Sequence, residues 1–160
     1  MISQRLSDML VRQIASELAA HQNYMAISLY FKRRSLDRWS ELFHKQAMEE
    51  AGHALKIMNF LEDVQVEYDL PGVPGSSTKF AAAIDAIQAA AASEAKVTNE
   101  FKAMATAAQE ENDWVVFQFL QWFLEEQVEE ESKMAKLIDL VNSGINLFQS
   151  EALLESFDSE

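Results

Sequence analysis

The residues that break helices are few in this sequence, and most of them lie in one short stretch. The chain has 160 residues with four glycines and two prolines, and both prolines and two of the glycines fall in PGVPG at 71–75. The rest of the chain is rich in alanine, glutamate, leucine, glutamine and methionine, which favour helices. Long helices are therefore predicted on both sides of one irregular connection.

The spacing of apolar residues divides the chain into four long helices and one short one. The predicted ranges, all within a single domain over 1–160, are 3–35, 38–66, 79–109, 112–142 and, for the short helix, about 148–157. Asp37 and Asp113 are expected to cap the second and fourth helices, since a short acceptor side chain satisfies free amide groups at a helix start. Gly144 is expected to end the fourth helix.

The lengths of the connections indicate how the helices are arranged. Short links between helices one and two, and between three and four, make each pair antiparallel. The connection over 67–79 reaches about 43 Å when fully extended at ~3.3 Å per residue. A helix of the predicted length is also about 43 Å long at ~1.5 Å per residue. We therefore predict an all-α four-helix bundle with one long crossover loop and a short C-terminal fifth helix.

Polar side chains interrupt the apolar face of every long helix near its middle. At about 100° per residue, six of them fall on the inner faces: Glu17 on the first helix, Glu50 and His53 on the second, Glu94 on the third, and Gln127 and Glu130 on the fourth. Antiparallel helices bring their middles together, so these side chains are predicted to converge. A buried ionised carboxylate without a partner is costly, so a compensating group is expected.

The types of these six residues indicate what the compensating group is. Four carboxylates, one imidazole and one amide suit a hard or borderline divalent metal. They exceed what one tetrahedral zinc ion needs, which favours two ions with a bridging carboxylate. There are no cysteines, so thiolate ligands and disulfides are excluded.

Charge and hydropathy narrow the class of partner. The net charge of −13 argues against nucleic acid, because phosphates would repel the chain. It fits a protein that handles cations, or one that needs the charge for solubility. No apolar run approaches the ~20 residues that span a membrane, and MISQRLSDMLVRQ lacks the apolar core of a secretory signal. We expect a cytoplasmic protein.

From end to end, including the crossover and the short fifth helix, the sequence resembles a bacterial non-haem ferritin, with a ferritin-like bundle. The segment FLQWFLEEQVEEE at 119–131 resembles the fourth-helix signature of that family. Tyr24 and Trp122 match a tyrosine and a tryptophan beside the family's iron site. The positions that match the family's ferroxidase residues are Glu17, Glu50, His53, Glu94, Gln127 and Glu130.

The resemblance implies a di-iron centre that oxidises Fe²⁺ with dioxygen or peroxide, for iron storage and detoxification. The first iron would be held by Glu17, Glu50 and His53, and the second by Glu50, Glu94 and Glu130. Glu50 would bridge the two ions. Two ferrous ions would each give one electron to dioxygen, yielding ferric iron and peroxide, and ferric mineral would be deposited inside a homo-oligomeric cage of 24 chains.

Other residues take supporting roles under the same resemblance. Gln127 would be a weak ligand or a hydrogen-bonding group. Tyr24 would supply an electron or a hydrogen bond, or serve only as a core tyrosine. Three further acids, which match a third iron site or else form a solvated acidic face, are Glu49, Glu126 and Glu129.

Two departures from the related bacterioferritins bear on the cofactor. Their second Glu-x-x-His is replaced here by Gln127-x-x-Glu130, and Ala51 stands where they have a haem-ligating methionine. We therefore predict no haem. His21, one turn after Glu17, is expected to be a hydrogen-bonded core histidine.

Three alternative functions remain open from the sequence. A Dps-type mini-ferritin usually takes its ligands from two chains, and a complete set within one chain argues against it. A di-iron peroxidase of the rubrerythrin type is disfavoured by the missing second Glu-x-x-His and the absent cysteines. A purely structural bundle is disfavoured because all six polar positions are kept.

Overall fold

The computed structural model describes residues 1–157, and within that range its regular structure is entirely helical. The helices are α1 Gln4–Lys32, α2 Asp37–Asp63, α3 Ala83–Glu110, α4 Trp114–Asn142 and α5 Leu147–Ser150, followed by a 3₁₀ helix over Glu151–Phe157. This confirms the predicted all-α four-helix bundle with a short C-terminal helix. No helix in this range is both long and apolar enough to cross a membrane.

The directions of the helices show that the connection between α2 and α3 is a long crossover. The ring of Phe60 stacks on that of Phe119, and the Gln46 amide contacts Glu130, so α2 and α4 are antiparallel. A short turn joins α3 to α4 and makes these two antiparallel as well. It follows that α2 and α3 run in the same direction, and the connection over 64–82 must travel the length of the bundle.

Two of the three predicted helix-end residues act as expected. The Asp113 carboxylate accepts a hydrogen bond from the Val116 N–H at 3.0 Å, which caps α4. Gly144 has a φ of 79°, in the left-handed region that often follows a helix, and α4 ends just before it.

The expectation that Asp37 caps α2 is wrong. Asp37 is the first helical residue, and its carboxylate pairs instead with Lys32 Nζ at 2.8 Å. The cap position is taken by Leu36, whose side chain is buried in the core. The free amide groups of Arg38 and Trp39 donate to Glu151 Oε2 at 2.5 and 3.2 Å, so a residue of the C-terminal segment does the work of the cap.

The C-terminal segment forms only one α-helical turn before it tightens into a 3₁₀ helix. A 3₁₀ helix aligns every third residue on one side. Here Glu151, Leu154 and Phe157 share the side that faces the bundle, and Leu154 is buried. The Ser150 hydroxyl also accepts a hydrogen bond from Trp39 Nε1 at 2.9 Å. The segment is therefore fastened to the start of α2.

The apolar core consists of two clusters separated along the bundle axis. In one, the Phe31 ring stacks on Trp39 and Phe43 with centroid distances of 5.2 and 5.5 Å. In the other, the Phe101 and Phe123 rings stack at 4.6 Å. The middle of the bundle between these clusters is occupied by buried polar side chains.

A Glu151→Ala variant should loosen the first turn of α2. Loss of a helix N-cap costs about 1 kcal/mol, so amide exchange in a peptide covering 36–42 should be about fivefold faster. Hydrogen-exchange mass spectrometry measures this directly. Glu155→Ala, which removes only an exposed ion pair with Arg38, is the matched control. Equal protection in the two variants would contradict the capping role of Glu151.

Candidate metal centre

The six inner-face polar residues converge in the middle layer of the bundle. Four different helices contribute them, and each side chain lies between the two apolar clusters. None of the six residues is more than 5% exposed: Glu17, Glu50, His53, Glu94, Gln127 and Glu130. Their burial removes the option of solvation by water, so the layer has to be compensated from within.

The ligand atoms of this layer form two adjacent groups. One is made by Glu17, Glu50 and His53, and the other by Glu50, Glu94 and Glu130; within each group the atoms lie within 4.8 Å of one another. Glu50 belongs to both groups. Because a carboxylate has two oxygens, this arrangement can hold two neighbouring cations with Glu50 shared between them.

The first group has an unsatisfied oxygen that a cation would satisfy. Glu17 Oε2 is fully buried and accepts no hydrogen bond from the residues that the structure describes. His53 Nδ1 lies 3.6 Å from this oxygen, beyond hydrogen-bond distance. An unpaired buried carboxylate oxygen is costly. The oxygen and imidazole donors match the ligand preference of hard or borderline divalent ions.

Proton affinities in the layer are strongly shifted. Burial raises the pKa of Glu50 and of Glu94 to about 7, and that of Glu130 to about 8 although the nearby Lys133 lowers it. Burial alone would lower the pKa of His53, but the neighbouring carboxylates of Glu17 and Glu50 raise it to about 11. Near neutral pH, protons thus neutralise part of the charge in the metal-free layer.

Two glutamines that the sequence analysis did not single out hold the carboxylates in place. Gln13 Nε2 donates to Glu17 Oε1 at 2.8 Å. Gln46 Nε2 donates to Glu50 Oε1 at 3.3 Å and also to Glu130 Oε2. Each glutamine lies four residues before a glutamate of the layer on the same helix, and this i, i+4 spacing was the available sequence signal.

Tyr24 and Gln127 both hold Glu94. The Tyr24 hydroxyl donates to Glu94 Oε1 at 2.5 Å, and Gln127 Nε2 donates to Glu94 Oε2 at 3.0 Å. Gln127 Nε2 also lies 3.2 Å from Thr98 Oγ1. Burial, with the charges of Glu94 and Glu50, raises the pKa of Tyr24 well above its ordinary value, so its phenol stays protonated.

Aromatic rings close the layer around His53. Its ring packs edge-on against Trp122 at 5.4 Å and Phe123 at 6.0 Å between centroids. Trp122 is 36% exposed, and Lys56 Nζ lies 4.1 Å from the centre of its ring. His21, by contrast, takes no part in the layer: its Nδ1 donates to the Ala47 carbonyl at 2.8 Å and ties α1 to α2.

A groove of about 570 Å³ between α2 and α4 lies beside the buried layer. The third-site candidates Glu49, Glu126 and Glu129 all line it, together with His53, Glu130 and several lysines. Glu126 Oε2 is 3.9 Å from His53 Nε2. Within residues 1–157, the three acids do not join a compact ligand group like the two in the buried layer. The three acids therefore lie at one surface, but their oxygens are further apart than those of the two buried groups.

The bundle and its buried carboxylate layer define a four-helix-bundle protein with a candidate two-cation centre. Residues 7–143 match the Ferritin family, described as a ferritin-like domain. The chain belongs to the ferritin family, which confirms the resemblance seen in the sequence.

Relatives and solved structures agree with this assignment. The chain is 38% identical to ferritin BfrB of Mycolicibacterium smegmatis over 140 residues, covering 87% of this chain and 77% of that protein. It is 31% identical over 166 residues to the bacterial non-heme ferritin of Staphylococcus haemolyticus, covering 100% of both. Its structure matches an open pore ferritin from Archaeoglobus fulgidus with a TM-score of 0.92 and 25% identity, covering 100% of this chain and 99% of that one.

Binding of a divalent cation to the metal-free protein at pH 7 should release protons. The raised pKa values mean that the folded protein retains protons on buried groups that a cation must displace. The release should shrink as the pH rises above 8, because the carboxyl groups are then already ionised and, of these groups, His53 with its pKa of about 11 is the one that still holds a proton. Zn²⁺ titration calorimetry in two buffers with different ionisation enthalpies measures the number of protons.

The Glu130→Gln variant tests the source of these protons. It removes the carboxyl group with a pKa of about 8, so fewer protons should be released per Zn²⁺ bound at pH 7. Heats that are the same in both buffers for the unmodified protein would contradict the prediction.

Proposed function

We propose that this protein is a ferroxidase that stores and detoxifies iron. It oxidises Fe²⁺ with dioxygen or peroxide at the buried layer and deposits ferric mineral inside a homo-oligomeric cage. The observation that carries the proposal is the sharing of Glu50 between two groups of buried ligand atoms. Membership of the ferritin family supports a role in iron storage.

The two groups give the binding positions for the substrate iron. Fe²⁺ binds at the first position to Glu17, Glu50 and His53, and at the second to Glu50, Glu94 and Glu130. Buried anionic ligands favour Fe³⁺ over Fe²⁺ electrostatically, since the more highly charged ion gains more from them. The layer therefore makes bound Fe²⁺ a better reductant.

The electron count requires two iron ions for each dioxygen. Each Fe²⁺ loses one electron, dioxygen gains two electrons and two protons, and the products are two Fe³⁺ and one hydrogen peroxide. Two adjacent positions with a shared carboxylate hold both electron donors next to one oxidant. Peroxide reacts in the same way, gaining two electrons and two protons to form two waters.

Supporting roles fall to Gln127 and Tyr24. The Gln127 amide nitrogen donates to Glu94, which supports a hydrogen-bonding role, and a role of its oxygen as a weak ligand stays a proposal. Tyr24 donates to the other oxygen of the same carboxylate, and its supply of a further electron is proposed from the resemblance. A third cation position at Glu49, Glu126 and Glu129, and the lack of a haem at Ala51, stay proposals from the resemblance.

Self-association into a cage fits the ferritin relationship, and a cage of 24 chains is proposed from the resemblance. Both ligand groups are complete within one chain. This supports the ferritin type over a Dps-type mini-ferritin, whose ligands usually come from two chains. A rubrerythrin-like peroxidase is the remaining alternative of the same chemistry, and the cytoplasmic location stays a prediction.

An aerobic Fe²⁺ titration of the metal-free protein tests the ferroxidase proposal. The fast rise in absorbance from ferric species should saturate at about two iron ions per chain. Glu50→Ala removes the ligand shared by both groups, so the fast phase should disappear.

The matched control is Glu41→Ala, the same substitution at an exposed position of α2. It should retain the fast phase with the same saturation point. Slow oxidation that is identical in the unmodified protein and the Glu50→Ala variant would overturn the catalytic assignment.

A further inference from the structure

The Gln46 amide connects an ammonium group to two carboxylates of the buried layer. Its Oε1 accepts a hydrogen bond from Lys133 Nζ at 3.0 Å. Its Nε2 donates to Glu50 Oε1 at 3.3 Å and to Glu130 Oε2. Gln46 is 2% exposed, so solvent does not compete for these contacts. The amide nitrogen has two N–H donors, and both are used on the two carboxylates.

The orientation of this amide depends on the lysine. An amide can be rotated by half a turn, which exchanges its oxygen and its nitrogen. A carboxyl group that carries a proton can face either side of the amide, as donor or acceptor. An ammonium group has only donors, so Lys133 requires the amide oxygen on its side. The NH₂ group then has to point to Glu50 and Glu130.

We propose that Lys133 is a positioning residue of the metal centre, acting through Gln46. By fixing the amide, it holds the carboxylates of Glu50 and Glu130 in the orientation that receives the cation at the second position. The inference rests on the proposed function, because it assumes that this layer binds metal. It assigns a role to a residue that is not itself a ligand and lies on the outer side of the layer.

Lys133 also faces the groove between α2 and α4. Its Nζ lies 3.9 Å from Glu49 Oε2, and its side chain is 24% exposed. The ammonium thus stands between the buried layer and the acidic side chains of the groove. Its positive charge alone repels an incoming cation, whereas its hold on Gln46 favours cation binding. These two effects have opposite signs, and a binding experiment can separate them.

Co²⁺ binding to the metal-free, assembled protein is the test. Co²⁺ is not oxidised under these conditions, and its visible spectrum reports the arrangement of its ligands. Lys133→Met keeps most of the side-chain length but removes the donor and the charge. Removing a direct partner of a metal ligand typically weakens metal binding roughly 10–100-fold. Lys133 acts one step further out, through Gln46, so we expect a loss at the lower end of this range at the second position and an altered Co²⁺ spectrum.

Two controls separate positioning from charge. Lys136→Met removes the same charge from an exposed lysine that lines the same groove about one turn further along α4, and it should not weaken Co²⁺ binding. Lys133→Arg keeps a donor for the Gln46 oxygen and should restore most of the affinity. In a Gln46→Met background, Lys133→Met should cause no further loss, since the path from Lys133 to the carboxylates is already broken.

The outcomes are distinguishable. Unchanged or tighter Co²⁺ binding in Lys133→Met would overturn the positioning role, and so would a loss of equal size with and without Gln46. If Gln46→Met does not fold, the comparison of Lys133→Met with Lys133→Arg decides the question. Failure of the unmodified protein to bind a pair of Co²⁺ ions would instead overturn the proposed function itself.

Discussion

The structure depends on the burial of four carboxylates in the middle of a helical bundle. Buried carboxylates without compensation destabilise a fold. Here several kinds of interaction compensate them. Glutamine and tyrosine side chains donate hydrogen bonds to the oxygens, His53 lies against Glu17 and Glu50, and raised pKa values let protons neutralise some of the charge. Within residues 1–157, one oxygen of Glu17 nevertheless has no hydrogen-bond partner. This open oxygen supports the proposal that the layer binds cations.

The rest of the bundle buries this layer and aligns the helices that form it. Stacked aromatic rings fill the bundle on both sides of the layer, and the side chains that form it come from four helices. No two helices alone would bring both ligand groups together. The crossover makes α2 and α3 parallel, which leaves each helix antiparallel to its neighbours and aligns the four middles at one level. The C-terminal segment closes one end by binding the free amide groups of α2 through Glu151.

The convergence of the six polar residues in the buried layer could be predicted from the sequence, whereas the glutamines that hold their carboxylates could not. Glu17, Glu50 and Glu94 stand on apolar helical faces, and a charged residue in such a stripe is a strong signal because its burial needs an explanation. Gln13 and Gln46 lie on the same helical faces as these glutamates, but a glutamine at such a position is common and gives no comparable signal. The end of α2 shows the same limit: Asp37 had the local features of a cap, and the residue that does the capping is far away in the sequence, where local patterns carry no information.

The amide donors around the layer hold its carboxylates in place. A carboxylate held only by a metal is free to rotate when the metal leaves, but Glu17, Glu50, Glu94 and Glu130 each keep an amide donor in the metal-free protein. Neutral donors suit this purpose better than lysine or arginine would inside the layer, because a buried ammonium or guanidinium would compete with the cation for the same oxygens. The Lys133 ammonium lies one step further out, behind the Gln46 amide. In its proposed role it orients the carboxylates from there without occupying the proposed cation position.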